Sequence, residues 1–316
     1  GIDLGGTKIY FAIIDEKGQI ISELRSLTDT TGGENLLESL FSGTQKLLEQ
    51  AKDLNCDIKA IGIGSPGRID AKNGIVMDCT PNIASWEGTN IKSSFEERFK
   101  LPAFVDNDAN VAAYGEYYLR KLAGHDESTI IVLTLGTGLG SGIIYNGSLF
   151  RGKGLGSEIG HMLLYPEGRA CNCGQKGCFE MYVSGTALET QATQRLARYP
   201  DSLLNTINGK ISSYSIFELA KKGDLFSGIL IDELAEAFSY ALISLINIFD
   251  PELILLGGGI SRQTDFYMKK VLKIIEDNIN YNSFNKNILQ VAKSDDKAGL
   301  IGAGLIAFYG YNKGEI

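Results

Sequence analysis

The sequence contains little proline and histidine but much glycine. Of its 316 residues, 6 are proline, 2 are histidine and 38 are glycine. Abundant glycine with scarce proline indicates tight turns between strands and helices rather than a disordered linker. Hydrophobic residues make up 44% and charged residues 22%, which is typical of a soluble globular protein. The length predicts about two domains.

We also expect no segment that would direct the chain to a membrane or out of the cell. The run from Ser128 to Phe150 is uncharged and long enough to span a bilayer, but its glycines and hydroxyl groups indicate short strands around a turn. Five cysteines without an export signal indicate a reducing compartment, so we expect a cytoplasmic protein without membrane contact. The formal net charge of −8 disfavours general nucleic-acid binding.

Two common nucleotide-binding motifs do not account for the main glycine-rich turns. No G-x-x-x-x-G-K-[ST] occurs, which excludes a P-loop protein. In the turns that start at Gly136 and Gly257, G-x-G-x-x-G is broken by Ser141 and Arg262, so neither turn supports a nicotinamide dehydrogenase. Three glycine-rich turns follow predicted strands, and their backbone amides can converge on an anion such as a phosphate. These turns are Gly5-Gly6-Thr7-Lys8, Gly136-Thr137-Gly138-Leu139-Gly140 and Gly257-Gly258-Gly259.

Carboxylates and amides stand near the ends of predicted strands. Asp3 precedes the first glycine turn, where it could reach Mg²⁺ on nucleotide phosphates or cap the turn. Val105 ends a strand, and Asp106-Asn107-Asp108-Ala109-Asn110 follows it before a predicted helix. Asp108 could accept the proton of a hydroxyl that attacks a phosphoryl group, and Asn107 could bind neighbouring hydroxyls. The same residues also fit a helix cap, so both interpretations stay open.

One histidine and three cysteines predict a metal site. His161 is followed by Cys171, Cys173 and Cys178, with Gly174 and Gly177 able to bend the chain between the thiols. Stray thiols or a disulfide are the alternatives, but three of five cysteines within eight residues favour a Cys₃His zinc site. Because four protein ligands close a tetrahedral site, we expect this Zn²⁺ to be structural.

A similar order of strands, hairpins and helices occurs twice along the chain. Strands are predicted near residues 2–4, 9–14, 19–24, 58–63 and 103–105, with helices at 35–54 and 110–121. Strands at 129–135, 141–145 and 253–256 and helices at 230–249 and 298–308 follow. The sequence therefore predicts two α/β lobes facing a cleft.

Taken together, these motifs resemble the ROK family, whose name covers repressors, open reading frames and kinases of sugars. The resemblance rests on the glycine turns at residues 5–8 and 136–140, on the run 106–110, and on the segment from Glu158 to Glu180 with its histidine and cysteines. It implies an actin-like, hexokinase-like (ribonuclease H-like) α/β fold of two lobes with a nucleotide and sugar cleft between them. We expect a small N-terminal lobe of residues 1–119 joined by a C-terminal helix of residues 297–316. Residues 120–296 would form the larger lobe, with the zinc-binding insertion near 158–180.

The resemblance also implies residue roles. Asp108 is the expected catalytic base, and Gly67, Asn107, Glu158, His161 and Glu180 the expected sugar contacts together with Asp108. His161 would also ligate zinc. ATP with Mg²⁺ is expected to contact the following residues: Asp3, Gly5, Gly6, Thr7, Lys8, Gly136, Thr137, Gly138, Gly257, Gly258 and Gly259.

The expected activity is ATP-dependent phosphorylation of the C6 hydroxyl of glucose, in carbohydrate metabolism and glycolysis. An N-acetylmannosamine or N-acetylglucosamine kinase is one alternative, motivated by Arg68 beside the expected sugar loop. A non-catalytic sugar-sensing transcriptional regulator is another. The first glycine turn begins so early that we expect no DNA-binding module before it and no nucleic-acid partner. Relatives in the family are often dimers or tetramers, so we expect a homodimer or homotetramer.

Overall fold

The computed structural model describes residues 1–78, 83–154, 156–279, 285–292 and 297–313, with residues 286 and 313 described by their backbone alone. Within these residues the chain forms two compact units. The first comprises Gly1–Ser128, Gly142–Ser157 and Ser294–Ile316, and the second comprises Thr129–Ser141 and Glu158–Lys293. The predicted division into residues 1–119 with 297–316 and residues 120–296 stays a prediction.

Strands and helices alternate along much of the described chain, as the sequence predicts for an α/β protein. The strands are β1 (Ile2–Leu4), β2 (Lys8–Ile14), β3 (Ile20–Leu27), β4 (Ile61–Ser65), β5 (Arg68–Asp70), β6 (Ile75–Asp78), β7 (Ala103–Asn107), β8 (Ile130–Leu135), β9 (Leu139–Tyr145), β10 (Ser148–Leu149), β11 (Leu253–Gly257) and β12 (Leu289–Val291). The α-helices are α1 (Gly33–Asp53), α2 (Ile91–Phe99), α3 (Asp108–Leu122), α4 (Glu180–Val183), α5 (Gly185–Arg195), α6 (Ser213–Lys221), α7 (Leu225–Phe249), α8 (Thr264–Asn278) and α9 (Ala298–Lys313).

A five-stranded sheet of order β3-β2-β1-β4-β7 lies in the first unit. Strands β1, β2 and β3 pair antiparallel, whereas β4 is parallel to both β1 and β7. Helix α1 buries Leu36, Leu40 and Leu47, which recur at helical spacing, in the same apolar core as Phe11 of β2. Because β1, β4 and β7 run in the same direction, residues that follow them meet at one edge of the sheet.

A second five-stranded sheet has the order β10-β9-β8-β11-β12, in which β8, β11 and β12 are parallel. A two-residue turn joins β9 to β10, as the Asn-Gly pair predicts; Asn146 has a φ of 50° and Gly147 one of 73°. The uncharged run from Ser128 to Phe150 therefore forms strands. Among the described residues, no helix is long and apolar enough to cross a membrane.

The elements around the expected site have different ends from those predicted. Strand β7 continues to Asn107, two residues beyond the predicted end, and α3 begins at Asp108 rather than at residue 110. Strand β4 runs over Ile61–Ser65 rather than 58–63. The hairpin of β5 and β6 and helices α2 and α8 were not predicted at all.

Candidate active site and metal centre

Adjacent strand ends bring Gly67 and Asn107 together. In the register of β4 and β7, Ser65 lies beside Asn107, so the turn after β4 meets the start of α3. The Asn107 side chain donates from Nδ2 to the Gly67 carbonyl at 2.9 Å, and its Oδ1 accepts from the amides of Ala109 and Asn110. The cap interpretation of Asn107 is thus confirmed, and the cap also fixes the turn at Gly67.

Asp108 is the first residue of α3, directly after the strand. Its carboxylate accepts a hydrogen bond from the Ala109 amide at 2.8 Å, and its side chain is half-buried. Gly64 of β4 lies opposite, where an added Cβ would stand 3.5 Å from the Asp108 Cα. The geometry suits a proton acceptor held rigidly at a sheet edge.

Asp106 was not singled out from the sequence, yet its carboxylate organises this junction. It is buried, and its Oδ1 accepts from the Asn107 amide at 2.8 Å and from Asn110 Nδ2 at 3.0 Å. Its Oδ2 accepts from Nε of Arg151, which completes an ion pair. No local pattern could have revealed this partner, since Arg151 is 45 residues away along the chain.

Asp3 and the first glycine turn lie on the neighbouring strands of the same sheet. Asp3 pairs with Gly64 in the parallel register of β1 and β4. Burial raises the pKa of Asp3 to about 6. Residues 5–8 form the turn from β1 into β2, in which the Gly5 amide donates to the Lys8 carbonyl at 3.0 Å. Gly6, Thr7 and Lys8 are exposed, so their backbone and side chains are accessible to a ligand.

The second and third glycine turns lie side by side in the second unit. Gly257 pairs with Thr134 in the parallel register of β11 and β8, so residues 257–259 adjoin the turn that begins at Gly136. Gly258 has a φ of +84°, and a Cβ there would lie 2.4 Å from the Leu135 carbonyl oxygen. Only glycine fits this position without strain. The fold thus brings together two of the three turns predicted to hold nucleotide.

The four predicted metal ligands also come together. The ligand atoms of His161, Cys171, Cys173 and Cys178 lie within 4.8 Å of one another. Nδ1 of His161 is 3.7 Å from Sγ of Cys171, and Sγ of Cys173 is 3.6 Å from Sγ of Cys178. In a tetrahedral site with zinc–sulfur bonds of about 2.3 Å, two ligating sulfurs stand about 3.8 Å apart. The residues therefore fit a Zn²⁺ ion, and the described cysteines are all free thiols.

The glutamates expected to contact sugar flank this cluster. Glu158 is exposed and precedes the short 3₁₀ helix Ile159–His161. Glu180 begins α4, and its Oε2 accepts from the Leu139 amide at 2.7 Å. Glu180 thus contacts the second glycine turn. This contact could not be predicted from the sequence, because Glu180 and Leu139 are 41 residues apart.

Comparison with known proteins identifies the family. A family model described as ROK family matches residues 1–308. The chain belongs to the ROK family. The resemblance stated from the motifs is therefore confirmed.

Both kinases and a repressor are among its relatives. The glucokinase of Thermotoga maritima is 33% identical over 310 residues, covering 97% of this chain and 96% of that protein. The xylose repressor of Caldicellulosiruptor bescii is 31% identical over 307 residues, covering 96% of this chain and 76% of that protein.

A solved structure extends the likeness to the fold. The crystal structure of a ROK family glucokinase from Streptomyces griseus in complex with glucose and AMPPNP has 34% identity and a TM-score of 0.80. The match covers 98% of this chain and 99% of that chain. The α/β fold of the actin-like, hexokinase-like class is thereby confirmed.

Proposed function

We propose that this ROK-family sugar kinase transfers the γ-phosphoryl group of ATP to the C6 hydroxyl of glucose. The observation that carries the proposal is the strand-to-helix junction at Asn107 and Asp108, where a carboxylate is held beside the Gly67 turn. The glucokinase relatives and the solved complex with glucose and AMPPNP support both the sugar and the nucleotide.

Asp108 acts as the catalytic base in this proposal. The C6 oxygen attacks the γ-phosphorus, Asp108 accepts the hydroxyl proton, and ADP departs with the electrons of the broken phosphorus–oxygen bond. The Ala109 amide holds the carboxylate, and the Asp106–Arg151 pair stabilises the backbone on which it stands. Little covalent chemistry is required of the protein, so positioning accounts for much of the expected rate.

Sugar contacts are proposed for Gly67, Asn107, Glu158, His161 and Glu180 in addition to Asp108. Sugar hydroxyls donate and accept hydrogen bonds, and this set supplies carboxylates, an amide and an imidazole for them. Nδ1 of His161 faces the cysteine sulfurs, and Nε2 is the nitrogen that we propose for the sugar.

Nucleotide contacts are proposed for the three glycine turns. Gly5, Gly6, Thr7 and Lys8 and the turn of Gly136, Thr137 and Gly138 would bind phosphates, and residues 257–259 would border the adenosine. Mg²⁺ is proposed beside Asp3, because a divalent cation would stabilise the ionised form of this buried carboxylate. When bound, Mg²⁺ would neutralise charge on the phosphates.

Zinc is proposed as a structural ion. His161, Cys171, Cys173 and Cys178 fill its four positions, so no position is open for substrate. We also propose that the protein is cytoplasmic, acts in glycolysis and forms a homodimer or homotetramer.

Two alternatives are carried by particular observations. The N-acetylhexosamine kinase alternative rests on Arg68, but Nη2 of Arg68 is 2.6 Å from Oδ2 of Asp78, which favours a structural role for this side chain. The sugar-sensing regulator alternative rests on the xylose repressor, which matches 96% of this chain. The half-buried carboxylate of Asp108 favours the kinase, because a sugar sensor needs no proton acceptor.

The test is ADP release from Mg²⁺ and ATP with glucose, mannose, fructose, allose, N-acetylglucosamine and N-acetylmannosamine. Glucose is expected to give the fastest release. Faster release with an N-acetylated sugar would favour the first alternative, and Arg68→Met would then be the first variant to measure. Sugar binding without ADP release from folded, zinc-loaded protein would overturn the kinase proposal in favour of the regulator.

A further inference from the structure

The second glycine turn is held by the segment that carries the metal ligands. The amide of Gly185, at the start of α5, donates to the Gly136 carbonyl at 2.8 Å. The next amide, of Thr186, donates to the Thr137 carbonyl at 3.2 Å. Two carbonyl groups of the turn are therefore fixed by the helix that follows the cysteine cluster.

Glu180 holds the same turn through a backbone amide rather than a carbonyl group. Oε2 of Glu180 accepts from the Leu139 amide at 2.7 Å, and a Cβ at Gly138 would lie 2.7 Å from the same oxygen. The carboxylate thus lies against the backbone of the turn. It engages an amide that, from the sequence alone, would count among the phosphate donors.

The residues before His161 pack on the strand that leaves the turn. A Cβ at Gly160 would lie 2.7 Å from the Leu139 carbonyl oxygen, and the Ile159 amide donates to Ser141 Oγ at 3.1 Å. His161 follows directly, so one metal ligand is tied to the end of the turn. Cys178 is two residues before Glu180, and the intervening Phe179 is fully buried. Short, packed connections therefore join two metal ligands to the turn.

We propose that Glu180 is a positioning residue for nucleotide. By accepting a hydrogen bond from Leu139, it links the metal cluster to the phosphate-binding turn, so that a folded cluster fixes the conformation of the turn. The inference rests on the proposed function, because it takes residues 136–138 as a phosphate site. A carboxylate beside bound phosphate is electrostatically unfavourable. Glu180 nevertheless favours nucleotide binding in this proposal, because its carboxylate accepts a strong, charge-assisted hydrogen bond from the Leu139 amide and so fixes the turn.

The test measures nucleotide affinity without sugar, so that any sugar contact of Glu180 does not contribute. AMPPNP with Mg²⁺ is titrated calorimetrically into wild-type protein, Glu180→Ala and Glu180→Gln. The control is Glu167→Ala, an exposed glutamate of the same segment whose Oε2 pairs with Lys176 at 3.5 Å. Circular dichroism and zinc content establish that each variant is folded and loaded.

Glu180→Ala is expected to bind AMPPNP about tenfold more weakly, as loss of a charged hydrogen bond would cause, with Glu167→Ala unchanged. Glu180→Gln keeps an oxygen that can accept from Leu139 and is expected to lie between Glu180→Ala and wild type. Unchanged affinity in Glu180→Ala, or tighter binding in Glu180→Gln, would overturn the inference. Wild-type protein that binds no AMPPNP would instead overturn the proposed nucleotide site itself.

Amide hydrogen exchange gives a readout that needs no ligand. The Leu139 amide is expected to exchange faster in Glu180→Ala than in wild type. In wild-type protein it is also expected to exchange faster after a chelator has removed zinc than before. Equal exchange in Glu180→Ala would contradict the role of Glu180. Unaltered exchange after zinc removal would contradict the link to the metal cluster.

Discussion

The carboxylate of Asp106 and the guanidinium of Arg151 form an ion pair beneath the junction that carries Asn107 and Asp108. The Asp106 side chain is 3% exposed and the Arg151 side chain 40% exposed. The pair therefore joins a buried anion to a cation that still contacts water. Loss of the cation would leave the anion buried without its charged partner, which is the costly case.

Arg151→Met is expected to lower the free energy of unfolding by about 1 to 2 kcal/mol, a value reduced for the exposure of the arginine. Asp106→Asn combined with Arg151→Met should recover part of this loss, because no charge is then buried. Urea unfolding of the single and double variants measures both effects. Lys153→Met, an exposed cation two residues away, is the control and should leave stability unchanged. Equal stability of Arg151→Met and wild type would refute a stabilising pair.

Asp108→Asn is expected to reduce kcat roughly a hundredfold to ten-thousandfold, since it removes the proton acceptor and keeps the shape of the side chain. Glucose binding measured by calorimetry should survive. Asp126→Asn, an exposed carboxylate in a loop, is the matched control. A near-normal kcat in Asp108→Asn would mean that another group accepts the proton.

Gly6→Ala and Gly136→Ala are expected to raise the KM for ATP about tenfold while leaving the melting temperature unchanged. A Cβ at either position meets nothing within 4 Å in the protein, so a loss of affinity would come from the approaching phosphate. Gly228→Ala on α7, also in open space, is the control that should keep the KM, with a melting temperature that does not fall because alanine favours a helix over glycine. An unchanged KM in both variants would remove these turns from the nucleotide site.

Asp3→Asn is expected to stabilise the protein increasingly as pH rises from about 4 to about 6, without Mg²⁺ or nucleotide. Burial raises the pKa of Asp3 from 3.8 to about 6, so the folded state keeps a proton that the unfolded state has lost. The free energy of unfolding of the wild type therefore falls across this window, and the variant lacks that fall. The difference between the two proteins should reach at most about 3 kcal/mol at pH 7. A difference that does not vary with pH would contradict the raised pKa.

Cys178→Ser is expected to lose zinc and to melt at a lower temperature, because structural zinc sites contribute to folding free energy. Metal analysis and thermal unfolding measure these effects. Cys56→Ser, a partly exposed thiol outside the cluster, is the control and should keep its metal. Full zinc content in Cys178→Ser would show that this thiol is not a ligand.

The metal cluster and the junction at Asp108 could be predicted because their residues are close in sequence. Spacing alone indicated that Cys171, Cys173 and Cys178 could surround one ion, and a carboxylate after a strand was visible as a pattern. The limits of β7 and α3 were each wrong by two residues, because Asn107 and Asp108 have the composition of a loop although β7 pairs through to Asn107.

Long-range contacts were beyond the reach of the sequence. Nothing near Asp106 indicates that Arg151 is its partner, and nothing near Glu180 indicates that it binds the Leu139 amide. Helix α2 is short and buries only Ile91 and Phe95, so its periodicity was too brief to detect. Such features depend on the packing of the whole unit rather than on local patterns.

The most direct test of the account is phosphorus NMR of the product formed from glucose, ATP and Mg²⁺ by the wild-type protein. We expect one new phosphate monoester on the C6 carbon of glucose and ADP in equal amount, with both formed at least about a hundredfold more slowly by Asp108→Asn. Phosphate on a different hydroxyl, or ADP accompanied only by inorganic phosphate, would contradict it.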